Sequence, residues 1–492
     1  MGNNNPILSL GKDVLLYVPG RLFPALFGFV GLSVYTRIFS PSEYGEYSLV
    51  MAVIGTIGLF AYAWIIQSNL RFFSDYKDND LDTFISTSFF VLIISLFFSA
   101  IALLILAKFS TNSIIPIKYF ILSIGVLIST SFFEVLINVL RADRNPKYVS
   151  IFLILSSILS LSVSLFLIYF SNIRISAIFI GSILVNSLLC IFLSLKFNIP
   201  KRIKFRSFSS RTCRDFVNYG IPLLITMILS SILFLTDRYL IALFKGNGAV
   251  GIYSAAYNLG AYPMSIISSI LIFAAFPIII DTWNQSGKET TKILIEKISR
   301  YYLLVAFPSL AGTALLSEEF IQFLGSDYLV GHKILPLSFF GSTTLGLCVF
   351  VNKGLELTKN TKVSAILVGT SGIFNVILDL LFIPKYSYFG AGMATAVAYF
   401  IYFLLSVFVS KKYLAWKIYF NSTINIIASS AIMSVIIILF KRNLGESFSS
   451  LVFLILLGII VYFMSLIFFR EIKDEILFIR DFINKFLHDY NR

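Results

Sequence analysis

Apolar positions along the chain do not alternate with polar ones. They fill continuous runs separated by short polar connections. A run of about 20 such residues is what a helix needs to cross the hydrocarbon core of a bilayer. Fourteen runs are read at about 12–36, 46–68, 84–107, 116–140, 148–170, 175–195, 215–243, 252–280, 298–324, 333–357, 362–383, 388–410, 418–440 and 449–469. The period-two alternation of a membrane β-barrel is absent. The pattern predicts an all-α integral membrane protein with about 14 transmembrane helices.

The two sides of the longest connection repeat one another. Lys12-Asp13 followed by Tyr17 recurs as Arg214-Asp215 followed by Tyr219. Gly45, Tyr47 and Ser48 recur as Gly251, Tyr253 and Ser254, and Asn145 and Lys147 recur as Asn360 and Lys362. Order is kept between the copies, as in a diverged repeat. Six spans separate them, so both start on the same membrane face and are related by an axis along the membrane normal. The expected division is an N-terminal six-helix bundle (1–197), a basic cytoplasmic linker (198–214), a C-terminal six-helix bundle (215–411), two additional transmembrane helices (412–469) and a cytoplasmic tail (470–492). In the tail, Ile472, Ile476, Ile479 and Ile483 stand at helical spacing, which predicts an amphipathic helix on the membrane surface. Two parallel-repeat bundles facing each other across a cleft suit alternating access.

Composition sharpens this picture. Of the 492 residues, 58% are hydrophobic and 13% charged, against about 25% charged in soluble domains. Soluble enzymes, secreted scaffolds and disordered chains are excluded. The net charge of +14 reads as a topology signal, because Lys and Arg concentrate in alternate connections; both termini are expected in the cytoplasm. No nucleic-acid partner is implied. The longest connection, Lys196 to Arg214, carries Lys196, Lys201, Arg202, Lys204, Arg206, Arg211 and Arg214, read as a retention loop or as a site for anionic lipid headgroups. Three cysteines without metal spacing and two histidines argue against a disulfide framework or a metal centre. Met1 to Asp13 is polar and runs directly into a full-length span, so no cleaved signal peptide is expected.

Ionisable residues inside spans are costly and usually face a cavity. Arg21, among Pro19, Gly20 and Pro24 of span 1, has two open readings. It is a cavity cation for an anionic substrate, or it forms a structural ion pair with an acid such as Glu134. Glu134, Asp237 and Asp379 are candidate carriers of H⁺ or Na⁺; for the adjacent Asp237 and Arg238 the competing reading is a solvated pair near the membrane surface. Lys353 and Glu356 can pair along their helix. Span 8 opens with Tyr253, Tyr257, Asn258 and Tyr262 on one face, and span 2 carries Tyr62 and Gln67 with Arg71 just beyond. Tyrosine rings can cover the apolar face of a sugar while amides bond its hydroxyls; interface aromatics and helix packing are the alternative. No other cofactor is implied.

Three segments resemble a known family. Arg37-Ile38-Phe39-Ser40-Pro41-Ser42-Glu43-Tyr44-Gly45-Glu46-Tyr47 is similar to the link between spans 1 and 2 of the polysaccharide or O-antigen flippases (Wzx-like) of the multidrug/oligosaccharidyl-lipid/polysaccharide exporter superfamily. Arg71-Phe72-Phe73-Ser74-Asp75-Tyr76 resembles the segment after span 2. The block from Asn375 through Ile383-Pro384-Lys385-Tyr386 to Gly390-Ala391-Gly392-Met393-Ala394-Thr395 resembles the family's Asn-rich span, turn and following span start, with Asp379 where Asn is commoner. The resemblance covers approximately residues 10–410. It implies a cavity between spans 1, 2, 7 and 8 and a polyprenyl-diphosphate-linked oligosaccharide as substrate. It also implies translocation to the outer leaflet of the cytoplasmic (inner) membrane without enzymatic chemistry. H⁺ or Na⁺ coupling and contact with polymerase or assembly proteins belong to the same expectation. A cation-coupled multidrug exporter is the alternative, and a membrane glycosyltransferase or polymerase a more distant one, since no external loop is long enough for a catalytic domain.

Overall fold

The structure, a computed structural model, describes residues 6–110, 114–444, 447–473, 475–477 and 480, apart from the side chains of 6–17, 273 and 274. Every regular element among them is helical. α1 (Pro6–Ile38) is followed by α2 (Pro41–Gly58), which continues through a π-helical turn (Leu59–Ala63) into α3 (Trp64–Tyr76). Then come α4 (Leu81–Phe109), α5 (Ile117–Ala142), α6 (Pro146–Phe170), α7 (Ser176–Lys196), the short α8 (Ile199–Arg202), α9 (Ser210–Leu315) and the short α10 (Ser317–Gln322). α11 (Ile334–Val351), the short α12 (Lys353–Leu357), α13 (Thr361–Ser410), α14 (Phe420–Lys441) and α15 (Phe448–Phe468) complete the order.

Among the described residues, 11 helices are long and apolar enough to cross a membrane. The chain is a multi-pass membrane protein. The count is lower than the number of apolar runs because two of these helices carry internal breaks. Positive φ at Gly246 and Gly287 interrupts the 106-residue α9, and φ of 54° at Ser387 interrupts the 50-residue α13. Each break falls between two expected spans. Glycine takes up the left-handed backbone without a Cβ clash; Ser387 does so three residues after Pro384, within the turn region expected from sequence. α1, in contrast, runs continuously through Pro19 and Pro24.

Helix starts are set by capping. Ser40 N donates to Glu43 Oε2 at 3.0 Å and Glu43 N to Ser40 Oγ at 3.4 Å, a reciprocal box that starts α2 with Pro41 in its first turn. Asp80 and Ser209 cap α4 and α9 through Thr83 N and Thr212 N at 3.2 and 3.3 Å.

Without water to drive helices together, membrane bundles pack through small residues. A Cβ on Gly20 would lie 2.6 Å from Ser150 Oγ, the seam between α1 and α6. One on Gly181 would lie 2.5 Å from Ser164 Oγ, between α6 and α7. Large apolar side chains point outward instead: Phe97 and Phe98 of α4 are 62% and 64% exposed, as a lipid-facing surface requires. The basic linker is tied to α4, Arg202 and Lys204 pairing with Asp82 at 3.2 and 2.9 Å. At the other end of the chain Arg300 of α9 holds Glu471 and Glu475 at 2.8 and 2.6 Å. Of the expected tail helix, Ile479 and Ile483 lie outside the described residues.

Candidate functional site

A cavity of about 650 Å³ opens between α1, α2, α5, α6, α7 and the part of α9 that flanks Gly246. Tyr35, Tyr44, Tyr47 and Tyr62 supply aromatic surface, and α5, α6 and α7 supply hydroxyl and amide groups. Among the described lining residues the ionisable groups other than tyrosine are Glu134 and Arg238. The Arg238 guanidinium donates to Phe234 O at 3.1 Å and to Asn258 Oδ1 at 3.3 Å. Its carbon lies 5.6 Å from the Tyr257 ring centre, within cation–π range. Its residue is 9% exposed, so the charge is held by protein dipoles and an aromatic face rather than by bulk solvent. On α5, Glu134 Oε2 accepts from Asn138 Nδ2 at 3.3 Å.

The sequence candidates divide between this cavity and other places. Tyr62, Glu134, Asn258 and Tyr262 line it. Arg21 is exposed on α1 outside the lining, within electrostatic reach of Glu134 but not in a direct ion pair with it. Gln67 is half-buried on α3, also outside the lining. Arg71 is exposed, lies over the Phe72 ring at 5.3 Å and pairs with Asp75 at 3.9 Å. Tyr257 backs Arg238, stacks on Tyr253 at 5.4 Å and shares a 3.0 Å hydrogen bond with Tyr399. Lys353 pairs with Glu356 along the chain, as its spacing predicts.

Asp237 and Asp379 form a second site behind the first. The Asp237 carboxylate, 2% exposed, accepts from Tyr253 OH and from Thr395 Oγ1, the latter at 2.7 Å; its other oxygen has no partner. Asp379 is fully buried within hydrogen-bonding range of Asp237, and its carboxylate oxygens receive no hydrogen bond from any other residue. One turn earlier on α13, Asn375 is also fully buried with both amide atoms unpartnered. An orphaned buried polar group is costly, and two adjacent carboxylates cannot both remain charged without a shared counter-ion or proton. The set is rich in oxygen donors, the chemistry a hard cation prefers.

Asp237 and Arg238 are therefore not a solvated pair. One step of helix turns the carboxylate toward Asp379 and the guanidinium toward the cavity. Sequence reasoning missed Arg238 as a cavity cation because the opposite charge beside it suggested mutual solvation. It also missed Asn375 and Thr395, which carry no charge; a polar residue one turn before Asp379 was the available signal.

The sequence profile of the family described as "Polysaccharide biosynthesis protein" matches residues 10–283. The probable low-salt glycan biosynthesis flippase Agl15 of Haloferax volcanii is 20% identical over 268 residues, 54% of this chain and 57% of that protein. The chain spans about half the length of the first curated relatives it matches. The structure of lipid II flippase MurJ in an inward closed conformation superposes with a TM-score of 0.75 at 20% identity, over 93% of this chain and 99% of that one. An inward-facing multidrug resistance MATE family transporter of the MOP superfamily gives 0.64 at 12% identity, over 80% and 97%. The fold is the one these two solved structures share.

Proposed function

The chain belongs to the polysaccharide biosynthesis protein family, and from that premise we propose that it carries a polyprenyl-diphosphate-linked oligosaccharide from the cytoplasmic to the outer leaflet of the cell membrane. The observation that carries the reading is the cavity itself: one buried guanidinium, Arg238, set among tyrosines and hydroxyls. A fixed guanidinium suits a diphosphate, and the tyrosines and hydroxyls suit a glycan. No bond of the substrate is made or broken. Residues 1–197 and 215–411 act as two bundles that rock about the cavity, exposing it first inward and then outward. The isoprenoid tail stays in the bilayer. Outward passage of negative charge is favoured by an inside-negative potential, about 2.3 kcal/mol per charge per 100 mV.

Resetting the empty carrier is assigned to the acidic site. Asp237, Asp379, Asn375 and Thr395 would hold Na⁺ or a shared proton, since the buried polar atoms of Asp237, Asp379 and Asn375 suit such an occupant. Because Asp237 and Arg238 are consecutive, a change in occupancy at the acids moves the backbone that carries the cavity cation. The termini are placed in the cytoplasm on this reading.

The experiment is reconstitution into liposomes with lipid-linked oligosaccharide extracted from the source strain and an impermeant lectin to report sidedness. Protein-dependent appearance of glycan on the opposite face, slowed in Arg238→Ala, is the expected outcome. Equal rates with and without protein would overturn the reading, and protein-dependent transport of organic cations in its place would favour drug export.

A further inference from the structure

The part of the cavity wall built by α5, α6 and α7 is organised around Asn186 of α7. This amide is 6% exposed and makes three hydrogen bonds, which use both of its N–H donors and one lone pair of its oxygen. Its Oδ1 accepts from Ser156 Oγ of α6 at 2.9 Å, and its Nδ2 donates to Thr130 Oγ1 of α5 and to Ser182 Oγ of α7, each at 3.3 Å. The direction of each bond fixes what the three hydroxyls still offer. Ser156 has spent its proton on Asn186, so its oxygen faces the cavity as an acceptor. Thr130 and Ser182 accept from Asn186, so each keeps a proton to donate. One turn beyond Ser156, Ser160 lines the same cavity and makes no hydrogen bond among the described residues. Hydroxyls of this kind inside a membrane helix usually bond back to their own helix, as Ser157 does to Ile154 O at 2.8 Å. The Asn186 group bonds across three helices instead.

We infer that this wall is a recognition surface for the uncharged hydroxyls of the glycan, with Asn186 as its positioning residue and Thr130, Ser156, Ser160 and Ser182 as the groups that touch the sugar. The inference rests on the flippase reading and adds a division of labour to it: charge is met at Arg238, sugar identity at the α5–α6–α7 wall. An amide held across three helices fixes the order of donors and acceptors on its neighbours, and a ligand that cannot match them leaves buried polar groups unpaired. That is how hydrogen-bonding sites reject analogues lacking a hydroxyl. The wall should therefore discriminate among glycans, whereas the cation should not.

The test uses the full-length protein in proteoliposomes and two probes: the lipid-linked oligosaccharide extracted from the source strain, and the same lipid trimmed to its first sugar. The quantity read is the ratio of their flipping rates. Wild type is expected to favour the full glycan. Ser160→Ala, which breaks no bond within the protein, should lower that preference about threefold to tenfold, as expected for loss of one net hydrogen bond. Asn186→Ala should lower it further by releasing three hydroxyls. Arg238→Ala should slow both probes and leave the ratio unchanged. An unchanged ratio in Ser160→Ala, or no preference in wild type, would overturn the inference while leaving the flippase reading standing. Should wild type move neither probe, that reading falls and takes the inference with it.

Discussion

Gly45 of α2 and Gly251 of α9 face each other so closely that neither position can hold a side chain. A Cβ on Gly45 would lie 1.9 Å from Asn247 O, and one on Gly251 would lie 1.8 Å from Pro41 O. Each contact is to the carbonyl four residues before the other glycine, so the crossing is reciprocal. These are the residues that recur between the two parts of the sequence, so two similar helix segments meet at this crossing. On the proposed topology the crossing lies at the external end, where it closes the path outward.

Gly45→Ala should therefore disfavour the closed crossing without touching the cavity. Backbone atoms are on the receiving side, so the clash cannot be relieved by a rotamer change, and a cost of about 1–3 kcal/mol is expected. At about 1.4 kcal/mol per tenfold, the closed-to-open ratio falls roughly fivefold to 140-fold. Cysteines placed on the external ends of the two halves should lose cross-linking in Gly45→Ala and in Gly251→Ala alike. Retained cross-linking in both would show that the crossing does not gate.

Arg238→Lys separates the roles of charge and shape. Lysine keeps the cation but lacks the planar fork that reaches both Phe234 O and Asn258 Oδ1. The expected order of flipping rates is wild type, then Lys, then Ala, with the Ala variant roughly tenfold to a hundredfold slower, matching a charge-assisted bond of about 1.5–3 kcal/mol. Lys and Ala variants of equal rate would mean that the guanidinium meets no anion.

The helices were legible in the sequence because lipid leaves so few alternatives. A backbone that cannot bond to water must bond to itself, and continuous apolar runs with intervening Gly, Pro and polar residues follow directly. The rotation of each helix was not legible. Arg21 was assigned correctly to span 1, but a helix that is apolar on every face gives no signal for which side meets the cavity, and its charge emerges outside the lining. Arg238 failed for the converse reason: its neighbour Asp237 suggested mutual solvation, and only the fold separates the two side chains into different sites. The Asn186 wall was partly accessible. Ser156, Ser160 and Ser164 recur every four residues, one stripe of a helix, yet serine in a membrane span is as often a packing residue, and Ser164 against Gly181 shows that role within the same stripe.

Asp379→Asn should uncouple the carrier while leaving its cavity intact. If Na⁺ occupies the acidic site, replacing choline chloride by sodium chloride should raise the melting temperature of wild type and leave Asp379→Asn unmoved. Thr395→Val, which removes the hydroxyl that bonds Asp237 at 2.7 Å, should weaken the same response. A sodium shift of equal size in all three proteins would exclude the site as the place of binding. Sodium-insensitive wild type whose transport instead follows an imposed pH gradient would assign the site to a proton.

The junction between α9 and the chain after α15 supplies a pH dependence with a definite sign. Burial alone would raise the Glu471 carboxyl, but the hydrogen bonds from Ser422, Asn425 and Arg300 outweigh it, so its pKa is held below the ordinary carboxylate value. Glu475 is lowered as well, burial again being outweighed by its hydrogen bond from Arg300. A group whose pKa is depressed on folding stabilises the fold above the unfolded value, about 4.3 for Glu, and that contribution fades as pH falls through the folded value. Between pH 7 and 5 the clamp should hold; below about pH 4 the melting temperature of wild type should fall. Glu471→Gln removes this carboxylate from the balance. It should melt earlier than wild type at pH 7, because Arg300, only 14% exposed at its side chain, loses one of its two acids. The gap between the two proteins should then narrow as the pH drops and wild-type Glu471 becomes protonated. A gap that stays constant from pH 7 to 3 would show that the Arg300–Glu471 pair adds nothing to the fold beyond the shape of the side chains.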